Sequence, residues 1–220
     1  MAYNRGVRYE AAMFDLDGTL ADTLGDITAA GNHALSQLQL PTIGPREFTA
    51  MIGRGARWAM QQAIGVEHAP LLDRALELYR AYYAEHGTEC TRPYPGIEQL
   101  LDALTQRRCK LAVLSNKPEA GVRQVMDALF TRWRFDAVRG QRENQPLKPD
   151  PTSARWIADR LGVPIDRWVY VGDMEIDVET ARAAGMFAVG VTWGFATEQR
   201  LRGAGADAII EDPMQLVDLP

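Results

Sequence analysis

Apolar residues fall along this chain in short runs, set between longer stretches of helical period. The runs occupy residues 11–14, 111–114, 168–171, 188–191 and 208–210, with a weaker one at 135–138. They are continuous, not alternating, as strands buried on both faces are. Helical patterns at 96–107, 119–129, 152–161 and 175–184 lie between them. Alternation of strand and helix predicts parallel strands joined by crossovers, hence a doubly wound, Rossmann-like α/β sheet.

One region breaks the rhythm. From residue 21 to about residue 91 there is no convincing strand. Helical periods run through 24–38, 57–64 and 71–83, interrupted at Pro41, Gly44, Pro45 and Gly65. This is far more chain than a crossover needs. We expect an inserted all-helical cap over 21–91, with 1–20 and 92–220 forming the α/β core. The return segment Arg92-Pro93-Tyr94-Pro95-Gly96 has the two prolines and glycine of a stiff hinge.

Composition narrows the function classes. The chain has 220 residues, 46% apolar and 24% charged, an ordinary globular balance. Its net charge of −5 argues against nucleic acid or an anionic membrane as main partner. The longest charge-free stretch, 27–45, holds too many polar residues and prolines to span a bilayer. The stretch 1–10 is polar, without the apolar core of a signal peptide, so a cytoplasmic location is expected. Cys90 and Cys109 make neither a disulfide framework nor a zinc motif. Of the 24 basic residues only Lys110, Lys117 and Lys148 are lysines.

The chemistry-bearing residues follow the apolar runs. The first run leads into Asp15-Leu16-Asp17-Gly18-Thr19. Two carboxylates so close raise one another's pKa unless a cation or hydrogen bonds compensate. Gly18 allows a sharp turn, and Thr19 can bond a neighbouring backbone group. The run at 111–114 leads into Ser115-Asn116-Lys117, and that at 168–171 into Gly172-Asp173, with Asp177 just beyond. A loop between them carries Lys148. Open α/β sheets bind ligands at the carboxyl ends of their strands, where these residues converge. Oxygen ligands without His or Cys suit Mg²⁺, and a hydroxyl with an ammonium suits phosphate oxygens. Together they describe phosphoryl transfer. For Lys117 the plain reading is a solvated residue after a strand.

In these four motifs the chain resembles the haloacid dehalogenase-superfamily phosphatases with a helical cap. The resemblance covers nearly the whole chain. It implies that Asp15 attacks phosphorus to form an aspartyl-phosphate and that Asp17 serves as acid, then base. It implies further that Mg²⁺ binds Asp15, the backbone carbonyl of Asp17, and Asp173. Ser115 and Lys148 would hold phosphate oxygens, and Asp177 would bind a metal water or orient Lys148. Thr19 and Asn116 stand in the supporting shell. The implied partner is a small phosphate ester, with the chain a monomer or homodimer.

The cap should choose the substrate. Arg54, between Gly53 and Gly55, could pair with a substrate carboxylate or simply face solvent on a helix–helix turn. Asp26 opens the first cap helix, where an acid suits a structural role. The stripe Leu72, Leu76 and Tyr79 reads as core. Within the superfamily the runs at 22–27, 32–35, 38–41 and 52–56 are most similar to bacterial phosphoglycolate phosphatases. Gln39 and Met174 depart from that pattern. The alternatives are a phosphatase of a sugar phosphate such as N-acetylmuramate 6-phosphate, of a nucleotide or of pyrophosphate, or a hexose-phosphate phosphomutase.

Overall fold

The computed structural model describes residues 9–219, so most of the polar N-terminal stretch lies outside the described residues. In chain order the elements are β1 (Ala11–Phe14), β2 (Ala21–Asp22), α1 (Leu24–Gln37), α2 (Pro45–Phe48), α3 (Ala56–Ile64), α4 (Leu72–His86), β3 (Arg92–Pro93) and α5 (Ile97–Gln106). There follow β4 (Lys110–Pro118), α6 (Glu119–Leu129), β5 (Ala137–Gln141), α7 (Thr152–Leu161), β6 (Trp168–Gly172), α8 (Glu175–Ala184), β7 (Phe187–Val191), α9 (Glu198–Gly203) and β8 (Ala208–Ile210).

Six strands form one parallel sheet in the order β5-β4-β1-β6-β7-β8. Successive residues of β1 serve opposite faces. Ala12 and Phe14 pack with α5 and α6, through Leu100, Leu101, Leu104, Val122 and Val125. Ala11 and Met13 pack with α7 and α8, through Ala154, Ile157, Val178 and Ala181. Both faces are covered, which is why the strands appear in the sequence as unbroken apolar runs. The order reverses direction at β1, with β4 on one side and β6 on the other. A crevice at that switch point is the expected ligand site.

Leu101 is fully buried on the α5 side of the sheet. Leu101→Ala should cost about 2–5 kcal/mol, the transfer and cavity penalty of a core leucine. A urea melt checks this, with a lower midpoint at unchanged slope expected. A midpoint equal to wild type would mean that the site collapses without loss.

The segment between β2 and β3 is helical, as its periods predicted. Helices α1 and α4 pack together with α3 around a separate apolar cluster that includes Ile27, Leu35, Phe48, Met60, Leu76 and Tyr79. The two connections between cap and core pair as a short antiparallel ribbon, Ala21 with Pro93 and Asp22 with Arg92. Asp26 has a structural role, although its bonds run across the chain and not to its own helix. It accepts hydrogen bonds from the Cys90 backbone N (3.0 Å), the Thr91 backbone N (2.8 Å) and Thr91 Oγ1 (2.6 Å). It therefore ties α1 to the returning strand.

One strand is displaced from its expected place. β5 starts at Ala137, and Phe135 instead meets Phe130 edge-on at 6.3 Å. The polar end of β5 disguised it. Arg139 is buried there with its guanidinium 4.2 Å from the Trp156 ring centroid.

Candidate active site

The sheet order delivers the expected residues to one place. Asp15 follows β1, Ser115 and Asn116 lie in the last part of β4, and Asp173 follows β6. Asp177 comes from the first turn of α8, where its Oδ2 accepts a bond from the Met174 backbone N at 3.0 Å. Carboxylate oxygens of Asp15, Asp173 and Asp177 lie within 4.8 Å of one another, all three buried. Lys148 Nζ bridges two of them, 2.9 Å from Asp15 Oδ2 and 2.6 Å from Asp177 Oδ1. Asp173 accepts bonds from Thr19 Oγ1 and from the Phe195 backbone N, both at 2.8 Å.

Close approach of backbone to carboxylate makes this possible. Gly18 has φ +84°, and a Cβ there would stand 2.3 Å from Asp173 Oδ2. No side chain fits, so the turn between Asp17 and Thr19 needs glycine.

One ammonium facing three buried carboxylates leaves surplus negative charge. Burial pushes the Asp15 carboxyl up to about 7, with Lys148 pulling against it and Asp177 and Asp17 adding to it. Burial, then Asp177 and Asp15, also drive Asp173 well above the usual carboxylate range. Lys148 stays charged against its burial because Asp15 and Asp177 face it. A divalent cation would relieve this surplus, and an all-oxygen donor set suits a hard metal ion. The cluster therefore fits a metal.

The carboxylate of Asp17 is turned elsewhere. Its Oδ1 accepts from Lys117 Nζ at 2.8 Å and from Thr23 Oγ1 at 2.7 Å. Its side chain therefore stands apart from the cluster of Asp15, Asp173 and Asp177. Asn116 links three segments: its Nδ2 donates to Gly53 O of the cap (2.9 Å) and to Lys148 O (3.2 Å), and its Oδ1 accepts from Lys148 N (2.9 Å).

Cap and core enclose a cavity of about 40 Å³, lined by Asp15, Asp17, Ser115 and Lys117 from the core and by Ile27, Ala56 and Tyr79 among the cap residues. On this scale about 10–15 Å³ holds one water. Arg54 does not line it. Gly53, at φ +101°, sits against Met174, and the next residue is carried outward. The Arg54 guanidinium is exposed, 5.5 Å from the Trp58 ring centroid, in an outer cleft shared with Pro149, Glu175 and Arg200.

Sequence reasoning missed two features. Tyr79 belongs to the cap core, as expected, but also lines the cavity. Lys117 is not solvated. It is buried between Asp17 and the ring of Tyr83, whose centroid is 4.5 Å from Nζ. The scarcity of lysine was the available signal, since two of the chain's three lysines stand here.

With this geometry established, known proteins can be compared. The sequence pattern described as haloacid dehalogenase-like hydrolase matches residues 12–191. A phosphoglycolate phosphatase of Pseudomonas syringae pv. tomato is 32% identical over 216 residues, covering 93% of this chain and 77% of the relative. One from Pseudomonas putida is 33% identical over 210 residues, covering 91% and 75%. The crystal structure of a predicted phosphoglycolate phosphatase from Haemophilus somnus 129PT superposes with a TM-score of 0.90 at 26% identity, covering 97% of this chain and 98% of that one. Among the described residues, no helix is long and apolar enough to cross a membrane. Sheet order, carboxylate cluster, helical cap and sequence pattern agree: the chain belongs to the haloacid dehalogenase-like hydrolases and is a phosphatase of their phosphoglycolate phosphatase-like group.

Proposed function

We propose that the protein hydrolyses a small phosphomonoester, phosphoglycolate or a close analogue, with Mg²⁺ and through an aspartyl-phosphate on Asp15. The observation that carries this reading is the Asp15 carboxylate itself. It stands at the floor of the cap–core cavity, beside Lys148 and within the carboxylate cluster. Magnesium would be held by Asp15, Asp173 and the backbone carbonyl of Asp17, and would supply charge neutralisation at the phosphoryl oxygens.

The chain's own groups perform the rest. Asp15 attacks phosphorus as the ester oxygen departs, and Asp17 protonates that oxygen. Asp17 then takes a proton from the water that releases phosphate. Ser115 and Lys148 hold phosphoryl oxygens through the change of charge. Asp177 orients Lys148, and Thr19 orients Asp173. Asn116 fixes the backbone of Lys148. Residues 21–91 act as the cap, excluding water from the acyl-phosphate when they close on the core.

The names of the two Pseudomonas relatives point to phosphoglycolate as the substrate. A phosphate-release screen with Mg²⁺ tests the reading, with 2-phosphoglycolate expected to give the highest kcat/KM against hexose phosphates, nucleotides and pyrophosphate. A hexose phosphate or nucleotide leading that panel would overturn the substrate assignment.

A further inference from the structure

Resting on that reading, we infer that Lys117, and not Arg54, recognises a carboxylate on the substrate, and that this contact frees Asp17 for proton transfer. Among the described residues that line the cavity, Lys117 is the one cationic side chain. Arg54 opens onto the outer cleft instead. The Lys117 stem lies against the start of α6, where a Cβ on Gly121 would come within 3.2 Å of its Cε. The ammonium is thus held in place between core and cap, on the face of Tyr83.

An ammonium has three donors. One goes to Asp17 Oδ1 at 2.8 Å. Lys117 is buried, and Asp17 is the carboxylate that pairs it. A buried charge that loses its partner is strongly disfavoured. Proton transfer asks Asp17 to part from Lys117, take up a proton from solvent water and turn with it to the ester oxygen, from its starting place beside Thr23. A substrate carboxylate entering the cavity replaces Asp17 as the counter-ion of Lys117. The ammonium is then paired in both states. An ester without a carboxylate offers no replacement, so Asp17 stays bound and turnover slows.

The selectivity is therefore built into kcat as well as KM. It should be largest for small esters that place a carboxylate one or two carbons from the phosphoryl oxygen. Among the described lining residues, Ile27, Ala56, Ala59 and Tyr79 are uncharged and Asp15 and Asp17 are acidic, so none offers a second positive charge to such a group.

The test compares 2-phosphoglycolate with ethyl phosphate, which keeps the two carbons and lacks the carboxylate. Wild type should prefer phosphoglycolate, partly in kcat. In Lys117→Met the ratio of the two kcat/KM values should fall roughly 10- to 100-fold, the size of one charge-assisted hydrogen bond. In Arg54→Ala it should stay within about threefold of wild type, as expected for a group that makes no such bond. Equal losses on both esters in folded Lys117→Met, leaving the ratio unchanged, would overturn the inference. So would collapse of the ratio in Arg54→Ala, whatever Lys117→Met does. If circular dichroism shows Lys117→Met unfolded, the Arg54→Ala ratio decides alone. Wild type that releases no phosphate from either ester would instead refute the proposed substrate class.

Discussion

Asp15→Asn is expected to lower kcat on the order of 10⁴- to 10⁶-fold, the loss seen when a covalent nucleophile is removed. The amide keeps the shape of the carboxyl. Its Oδ1 can still accept from the Leu16 backbone N, a bond of 2.7 Å in the native chain. It cannot attack phosphorus as an anion. It also removes the charge that faces Lys148 at 2.9 Å, while Asp177 remains to pair that lysine. The fold should therefore survive, because Lys148 is not left unpaired. Steady-state phosphate release with circular dichroism checks both halves. Hydrolysis within tenfold of wild type from a folded variant would remove Asp15 from the nucleophile's role.

Removal of Mg²⁺ is the second large effect. EDTA-treated protein should lose at least about 10³-fold in rate, the scale on which charge-stabilising groups at a phosphoryl centre act. Added magnesium should restore it. The pH dependence of binding follows from Asp15. Without metal its carboxyl is pushed up to about 7. Below that pH the metal must displace a proton, so affinity should weaken up to about tenfold per pH unit. Calorimetric titration of the metal-free protein at several pH values reads this directly. Affinity that strengthens as pH falls from 8 to 6 would contradict a proton–metal exchange at Asp15.

The core was more legible than the cap, for a physical reason. Strands β1, β4, β6 and β7 are covered on both faces, so burial wrote itself into the sequence as apolar runs. The catalytic candidates stand directly after those runs, where chain order alone places them. β5 was harder because Arg139 and Gly140 enter it, with the arginine packed against Trp156 and donating to Gln145. The β2–β3 ribbon was illegible, since two residues on each side carry no periodicity.

At the cap the difficulty was one of direction. The flanking glycines marked Arg54 as special, but backbone dihedrals decide where its side chain goes. Gly53 turns the loop so that its carbonyl meets Asn116 and the arginine faces out. Lys117 follows the opposite course. Nothing in its immediate neighbours announces a buried lysine, and its partner Asp17 stands 100 positions away in the chain. Long-range ion pairs of this kind leave no local pattern. Asp26 is similar, because its partners at Cys90 and Thr91 meet it only through the fold.

The most direct measurement of the central claim is a chemical trap of the covalent intermediate. Protein mixed with ³²P-labelled phosphoester and Mg²⁺ is quenched in acid during turnover to count bound phosphate, and a parallel sample is reduced with tritiated borohydride, which releases the phosphate, converts the phosphorylated aspartate to homoserine and labels its peptide for mapping. We predict an acid-stable, base-labile phosphoryl group on the peptide carrying Asp15, absent from Asp15→Asn. A phosphoryl group on any other residue of wild type would contradict the account.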